Sequence, residues 1–222
     1  MVQILAETFN APAMYLSSTA PLVLHASGKS SGLAVECGEF GSVASVMEGC
    51  TLRNTAREFG GGRRVDEMFC EIISSKIGSS GFFENFATAR KIKEEHSLVC
   101  IDFEKEVQVH KKEDAQTFTL PDGTVFELGD SYIKIAECLF RPNLFGMSGC
   151  GIQEEIFTSL MFCEESLRCT VGENIIICGG TTLMKGFRER LVKEISSTGS
   201  KFEVPLKMEF PESLSSKTLF FL

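Results

Sequence analysis

The chain has 222 residues, enough to bury a hydrophobic core as one domain or as two small ones. Hydrophobic residues make up 43% of it and charged residues 23%, so a wholly disordered or collagen-like chain is excluded. The formal net charge of −8 disfavours nucleic acid and membranes as partners, because both carry negative charge that repels an acidic surface. The first residues lack the pattern of a signal peptide, and no segment approaches the ~18 apolar residues of a membrane span. We therefore expect a cytoplasmic protein.

The cysteines and histidines do not have the spacing of a disulfide framework or a metal site. The nine cysteines are odd in number and no two of them form a C-x-x-C pair, so we interpret them as reduced core or surface residues. The three histidines are far apart in sequence and lack ligand spacing. We predict no metal ligands.

In the first half of the chain, apolar patterns predict helices on either side of a pair of strands. Pro12 suits the first turn of a helix, and a glycine turn separates two short apolar runs, which is typical of a strand pair. After the glycines at 60–62, apolar residues recur at helical spacing, and Asp66 is assigned to the opposite, polar face of that helix. The predicted elements are a helix over 13–27, strands over 33–35 and 43–47, and helices over 65–73 and about 85–100.

In the second half, a polar insert precedes a hairpin, and helices then alternate with strands. Pro121, Asp122 and Gly123 supply the turn of the hairpin. A buried strand, a glycine pair and a helix in succession indicate an α/β sheet with ligand-binding loops at its strand ends. The predicted elements are an insert at 105–116, a hairpin over 118–128, helices over 152–163 and about 185–196, and strands over 174–178 and about 202–209.

Five short motifs give the chain a family resemblance. They are Glu-Thr-Phe-Asn-Ala-Pro-Ala-Met-Tyr at 7–15, Ala-Ser-Gly at 26–28, Leu-Pro-Asp-Gly at 120–123, Phe-Gly-Met-Ser-Gly-Cys-Gly-Ile at 145–152 and Gly-Gly-Thr-Thr at 179–182. They stand in the order and approximate spacing of actin, so the chain resembles an actin or actin-related protein over about 2–212. The resemblance implies an α/β fold of the ribonuclease-H-like type shared by actin, Hsp70 and sugar kinases, in which two halves clasp ATP and a divalent metal.

The resemblance also implies a division of the chain. Residues 1–28 would be a helical remnant of the first actin half, residues 29–59 and 146–222 the inner ribonuclease-H-like subdomain, and residues 60–145 an inserted upper subdomain. The first phosphate turn, the outer subdomain and the C-terminal helices of the family have no counterpart in the sequence. We therefore expect a divergent relative, truncated at both ends, that is mainly one half of the fold.

The phosphate side of the implied nucleotide site departs from the family pattern. The second phosphate turn of actin reads Asp-Ser-Gly-Asp-Gly, and here Glu36, Gly38 and Glu39 keep the two acids and the middle glycine, while Phe40 replaces the last glycine. A phenylalanine carries a Cβ and a ring where glycine would allow close approach to a phosphate, so an ordinary hairpin turn is the favoured interpretation. The glutamine with which the family positions water aligns with Thr19, which is too short for that role. We expect no catalytic residues.

The adenosine side matches the family better. The matching residues are Gly62, Arg90, Lys93, Glu94, Gly179, Gly180 and Thr181. Plain helix surface and a strand-to-helix turn are the alternatives for these positions, and Arg64 stands where the family has aspartate. Because half of the phosphate contacts would be missing, we expect weak or no ATP binding and no cofactor, with a residual ATP and magnesium site as the alternative.

Two functions of different classes follow. The first is a non-catalytic, actin-like cytoskeletal or assembly component that binds other proteins, with actin or other cytoskeletal proteins as partners and the cytoskeleton as its location. The second is a nucleotide-dependent switch with weak or no ATPase activity; a poorly functional product of a truncated gene is the third interpretation. The apolar residues of the first helix would either pack on the chain's own half or form an exposed patch, and we expect the chain not to be a clean monomer.

Overall fold

A computed structural model describes residues 2–14, 17–56, 60–77, 82–110, 117–119, 125–127, 129, 131–199 and 204–215. The described helices are α1 Thr19–Ala26, α2 Gly61–Ile77, α3 Phe82–His96, α4 Phe103–His110, α5 Ser131–Glu137, α6 Ile152–Met161, α7 Glu165–Gly172, α8 Phe187–Gly199 and α9 Glu212–Ser215. The described strands are β1 Gly32–Cys37, β2 Gly41–Met47, β3 Cys50–Ala56, β4 Thr117–Thr119, β5 Val125–Glu127, β6 Ile175–Cys178 and β7 Met208–Glu209. A π-helical turn lies at Ile4–Thr8, and short 3-10 turns lie at Pro142–Phe145 and Gly180–Leu183.

Five of these strands form one mixed sheet in the order β3-β2-β1-β6-β7. The first three strands of the chain pair as an antiparallel meander, while β6 runs parallel to β1 and β7 runs parallel to β6. The remaining pair, β4 and β5, forms a separate antiparallel hairpin. Parallel pairing of β1 and β6 brings the carboxyl ends of these two strands to the same edge of the sheet.

Successive side chains of a strand point to opposite sides of the sheet, and β1, β2 and β6 are buried on both sides. Leu33 and Val35 of β1 belong to the larger core, which also contains residues of α2, α5, α6, α7 and α8. Ala34, between them, belongs to a smaller core with Val23 and Leu24 of α1. The first helix therefore packs on the chain's own sheet, which is the first of the two alternatives expected from the sequence.

A buried ion pair links α8 to α5. The side chains of Arg190 and Glu137 are 2% and 1% exposed, and both carboxylate oxygens of Glu137 accept hydrogen bonds from the guanidinium, at 2.8 and 3.1 Å. The same guanidinium donates to the Cys100 carbonyl at 2.7 Å and to Glu194 at 2.7 Å. Each of these acceptors offsets part of the cost of removing the arginine from water.

The structure confirms the first strand pair, β6, the hairpin and the amphipathic helix, and it corrects other boundaries. The helix predicted over 13–27 begins only at Thr19, since Ser18 is extended with φ −67° and ψ 156°. Pro21, not Pro12, lies in its first turn, where the missing N–H of proline costs no helical hydrogen bond. Of the strand predicted over 202–209, only Met208–Glu209 pairs with β6; residues 202 and 203 lie outside the described part, as does the turn of the hairpin.

Five of the described strands and helices were not predicted: β3, α4, α5, α7 and α9. The polar insert at 105–116 is helical in its described part, which belongs to α4. The helix predicted over 85–100 ends at His96, and residues 97–102 are not helical; Leu98 makes an isolated parallel bridge to Lys185.

Candidate functional site

Three segments meet beyond the carboxyl ends of β1 and β6. They are the turn between β1 and β2, the first turn of α2, and the Gly179–Thr181 segment after β6. The carbonyl oxygen of Gly38 accepts a hydrogen bond from the Gly62 N–H at 2.8 Å and another from the Thr181 hydroxyl at 3.0 Å. One backbone acceptor of the β1–β2 turn thus holds the other two segments in place.

Two of the glycines predicted for the site are required by this close packing. Gly179 has φ +100°, and a Cβ at this residue would lie 2.5 Å from the carbonyl oxygen of Cys37. A Cβ at Gly62 would lie 2.8 Å from the Thr181 hydroxyl oxygen. By contrast, a Cβ at Gly180 would meet no atom within 4 Å, so the space beside Gly180 is open.

The three segments border a cleft of about 590 Å³ that extends along α3. The predicted site residues that line it are Gly38, Glu39, Gly62, Arg90, Lys93, Glu94, Gly180 and Thr181. Its other lining residues are Asp66, Glu95, Ser97, Leu183, Met184 and Lys185. The cleft has the size of a small-molecule site. Two predicted residues, Glu36 and Gly179, do not line it.

Asp66 is the main residue of the cleft that the sequence did not identify, and its assignment to the polar face of α2 is wrong. Asp66 is fully buried, its Oδ1 lies 2.6 Å from Lys93 Nζ, and its Oδ2 accepts a hydrogen bond from Arg90 Nε at 3.4 Å. Lys93 also donates to the carbonyl oxygen of Gly62 at 3.2 Å. One buried carboxylate therefore pairs with both cations that α3 presents to the cleft.

The turn after β1 carries a second, more exposed group of charges. Arg63 lies 3.5 Å from Glu39 and 2.9 Å from Glu67, and its guanidinium is 5.5 Å from the centre of the Phe40 ring. These side chains are about half exposed, and ion pairs in such positions contribute little stability. Arg64 points elsewhere, because it donates to the carbonyl oxygen of Ser148 at 3.1 Å.

Glu36 lies on the α1 side of the sheet. Its Oε1 accepts a hydrogen bond from the Thr19 hydroxyl at 2.5 Å. Burial raises the pKa of Glu36 above its ordinary value, and the Thr19 hydrogen bond opposes this shift. The acid that the resemblance implied as a nucleotide contact is therefore paired with the residue that aligns with the water-positioning glutamine of the family.

The charges of the cleft do not fit a metal-bound triphosphate. Its lining includes four acids, Glu39, Asp66, Glu94 and Glu95, and three bases, Arg90, Lys93 and Lys185. The two bases on α3 share Asp66, and Arg90 also lies 4.0 Å from Glu39, so acids of the chain already offset their charge. In the described part of the chain, no group of three or more histidine, cysteine or acidic residues could hold a metal ion.

The topology and the cleft together define a class of protein. An antiparallel meander continued by two parallel strands, covered by helices on both faces and carrying a cleft beyond β1 and β6, is the fold of the ribonuclease-H-like ATPases that include actin, Hsp70 and the sugar kinases. Compared with models of known protein families, the chain matches the one described as Actin over residues 1–217. This protein belongs to the actin family. No helix among its described residues is long and apolar enough to cross a membrane.

Proposed function

We propose that this chain is a non-catalytic member of the actin family that acts as a cytoskeletal or assembly component through contacts with other proteins. The hydrogen bond between Thr19 and Glu36 is the observation that carries the proposal. Hydrolysis of a nucleoside triphosphate requires a group that orients the attacking water and positive charge that neutralises the phosphates. Thr19 donates to Glu36, and Glu36 does not line the cleft, so neither side chain faces a ligand there.

The start of the chain supports a role in protein contacts. Ile4–Thr8 buries none of its residues, and the side chains of Val2, Ile4 and Phe9 are 55%, 55% and 70% exposed. Exposed apolar surface is typical of sites that bind another protein, and these three side chains lie within eight residues of the chain. The family makes actin and other cytoskeletal proteins the proposed partners and the cytoplasmic cytoskeleton the proposed location.

Phosphate release from magnesium-ATP by the purified chain tests the absence of catalysis. We expect the rate to equal that of a blank without protein. Turnover above the blank that the substitution Glu36→Gln abolishes would contradict the proposal, since it would assign Glu36 a part in the reaction.

Sedimentation tests the role in protein contacts. We expect the chain to migrate as a species heavier than 24.4 kDa or to pellet with preformed actin filaments. The double substitution Ile4→Ser and Phe9→Ser should weaken this association, whereas Leu52→Ser, at a similarly exposed residue on β3, should leave it unchanged. A monomer that stays in the supernatant with filaments present would refute the proposed mode of action.

A nucleotide-dependent switch with weak or no ATPase activity is the second candidate. The cleft of about 590 Å³ favours it, because eight of the ten residues predicted for nucleotide binding line that cleft. Calorimetric titration with magnesium-ATP separates the two functions. Micromolar affinity would favour the switch, and no measurable heat at millimolar nucleotide would favour the non-catalytic component.

A further inference from the structure

Two of the three cations of the cleft, Arg90 and Lys93, are paired with groups of the chain itself. The side chain of Lys93 is 12% exposed, and its ammonium contacts the carboxylate of Asp66 and the carbonyl oxygen of Gly62. The guanidinium of Arg90 contacts Asp66, lies 4.0 Å from Glu39 and is 5.7 Å from the centre of the Phe86 ring. Both cations thus have counter-ions before any ligand arrives.

We propose that Asp66 is an internal counter-ion that makes the cleft select against phosphate-bearing ligands and in favour of uncharged, polar ones. The inference deepens the proposed function and rests on it, since it states which ligands a non-catalytic cleft accepts. Asp66 is fully buried and belongs to α2, so it cannot move away from α3 into water without unpacking the helix pair. A phosphate that approached Arg90 or Lys93 would meet this negative charge at short range.

Three further lining residues, Ser97, Leu183 and Met184, support the preference for an uncharged ligand. Ser97 lines the cleft and is 8% exposed, and its hydroxyl has no hydrogen-bond partner among the described residues. A buried hydroxyl without a partner is rare in folded proteins, and a polar ligand would satisfy it. Leu183 and Met184 supply apolar surface at the same cleft. An uncharged polar molecule therefore finds both a hydrogen-bonding group and an apolar wall.

The substitution Asp66→Asn tests the proposal because it removes the charge and keeps the shape of the side chain. Binding of inorganic tripolyphosphate, a polyanion that needs no base pocket, should strengthen by about tenfold or more. Lys93 would then lack its carboxylate partner, and Arg90 would keep Glu39 at 4.0 Å. Asp102→Asn is the matched control: it makes the same chemical change in the carboxylate that pairs with Lys105, outside the cleft. The control should bind tripolyphosphate as the unaltered chain does.

Calorimetry measures the affinity for tripolyphosphate of the unaltered chain, Asp66→Asn and Asp102→Asn, and circular dichroism shows whether each of them is folded. An Asp66→Asn variant that is folded yet binds tripolyphosphate no better than Asp102→Asn would overturn the proposal. The unaltered chain supplies a second measurement that does not depend on the folding of the variant: a Kd for tripolyphosphate tighter than about 100 μM would equally overturn it. Tripolyphosphate affinity and ATP turnover are separate readouts, so a failure of this inference is distinguishable from a failure of the proposed function.

Discussion

Replacement of Arg190 by methionine should destabilise the fold more than any surface substitution. Methionine keeps an apolar stem but removes the guanidinium, which donates hydrogen bonds to Glu137, to Glu194 and to the carbonyl oxygen of Cys100. The carboxylate of Glu137 would then stay buried, and among the described residues its remaining ion-pair partner would be Arg141, whose Nε lies 3.5 Å away. Loss of one partner of a buried pair costs about 3–5 kcal/mol. Since a domain has about 5–15 kcal/mol of stability in all, the loss is a large share of the total.

The loss of stability depends on the charge that remains on the buried Glu137 carboxylate, and a second variant measures the contribution of that charge. Adding Glu137→Gln to Arg190→Met removes the uncompensated carboxylate, so the double variant should regain part of the stability that the single one lost. The exposed pair of Lys105 and Asp102, in which the lysine side chain is 82% exposed, supplies the control. Lys105→Met should lower the free energy of unfolding far less than Arg190→Met does, because an exposed ion pair contributes little stability.

Urea unfolding followed by circular dichroism gives the free energy of unfolding of each variant by linear extrapolation. If Arg190→Met lowers the free energy of unfolding no more than Lys105→Met does, the buried pair does not stabilise the contact between α5 and α8 as its geometry indicates. If the double variant is less stable than Arg190→Met, the reasoning from the uncompensated carboxylate is wrong.

Three more predictions concern single positions. Burial raises the pKa of Glu36 above its ordinary 4.5, so the stability that this residue contributes is fully present below its unfolded pKa and is lost as pH rises through the raised value. Glu36→Gln should therefore be more stable than the unaltered chain at neutral pH, and this advantage should shrink as pH falls towards 4.5. Urea unfolding over a pH series would contradict this if the advantage stayed constant. Gly179→Ala should lower the melting temperature well beyond Gly180→Ala, since only the former combines a positive φ with a Cβ 2.5 Å from a carbonyl oxygen; equal melting temperatures would refute the steric argument. The exposed thiols of Cys50 and Cys169 should react with a disulfide reagent before that of Cys178, which is buried and whose pKa is raised to about 12, and mapping by mass spectrometry would show an error if Cys178 reacted as fast.

The sequence predicted those elements whose pattern is local. β1 and β2 carry apolar runs on either side of a glycine turn, and α2 has apolar residues at helical spacing, so neither needed knowledge of the rest of the chain. β3 was missed because it is the edge strand of the sheet, where a polar sequence such as Cys-Thr-Leu-Arg-Asn-Thr-Ala is compatible with pairing on one side only. The start of α1 was misplaced because two prolines precede or enter it and both fit a first turn.

The residues of the candidate site that belong to family motifs were predicted from the sequence, and Asp66 was not. Glycines and charged residues of known motifs met at one cleft, but the role of Asp66 depends on how α2 packs against α3. Asp66 and Lys93 are 27 positions apart, and Glu137 and Arg190 are 53 apart, so no periodicity within one element relates them. Which buried acid compensates which base is a property of packing, and packing is what a single sequence leaves open.

The two borders of the main sheet differ in length, and this bears on how copies of the chain would meet. β7 supplies a border of only two residues, which offers little template for backbone pairing with a neighbour. β3 supplies a longer border, but an irregularity of register between Ser45 and Val46 of its partner strand increases the local twist there. Backbone pairing between the edge strands of two copies, the usual start of amyloid-like growth, is disfavoured at both borders. Self-association of this chain would accordingly proceed through side-chain surfaces.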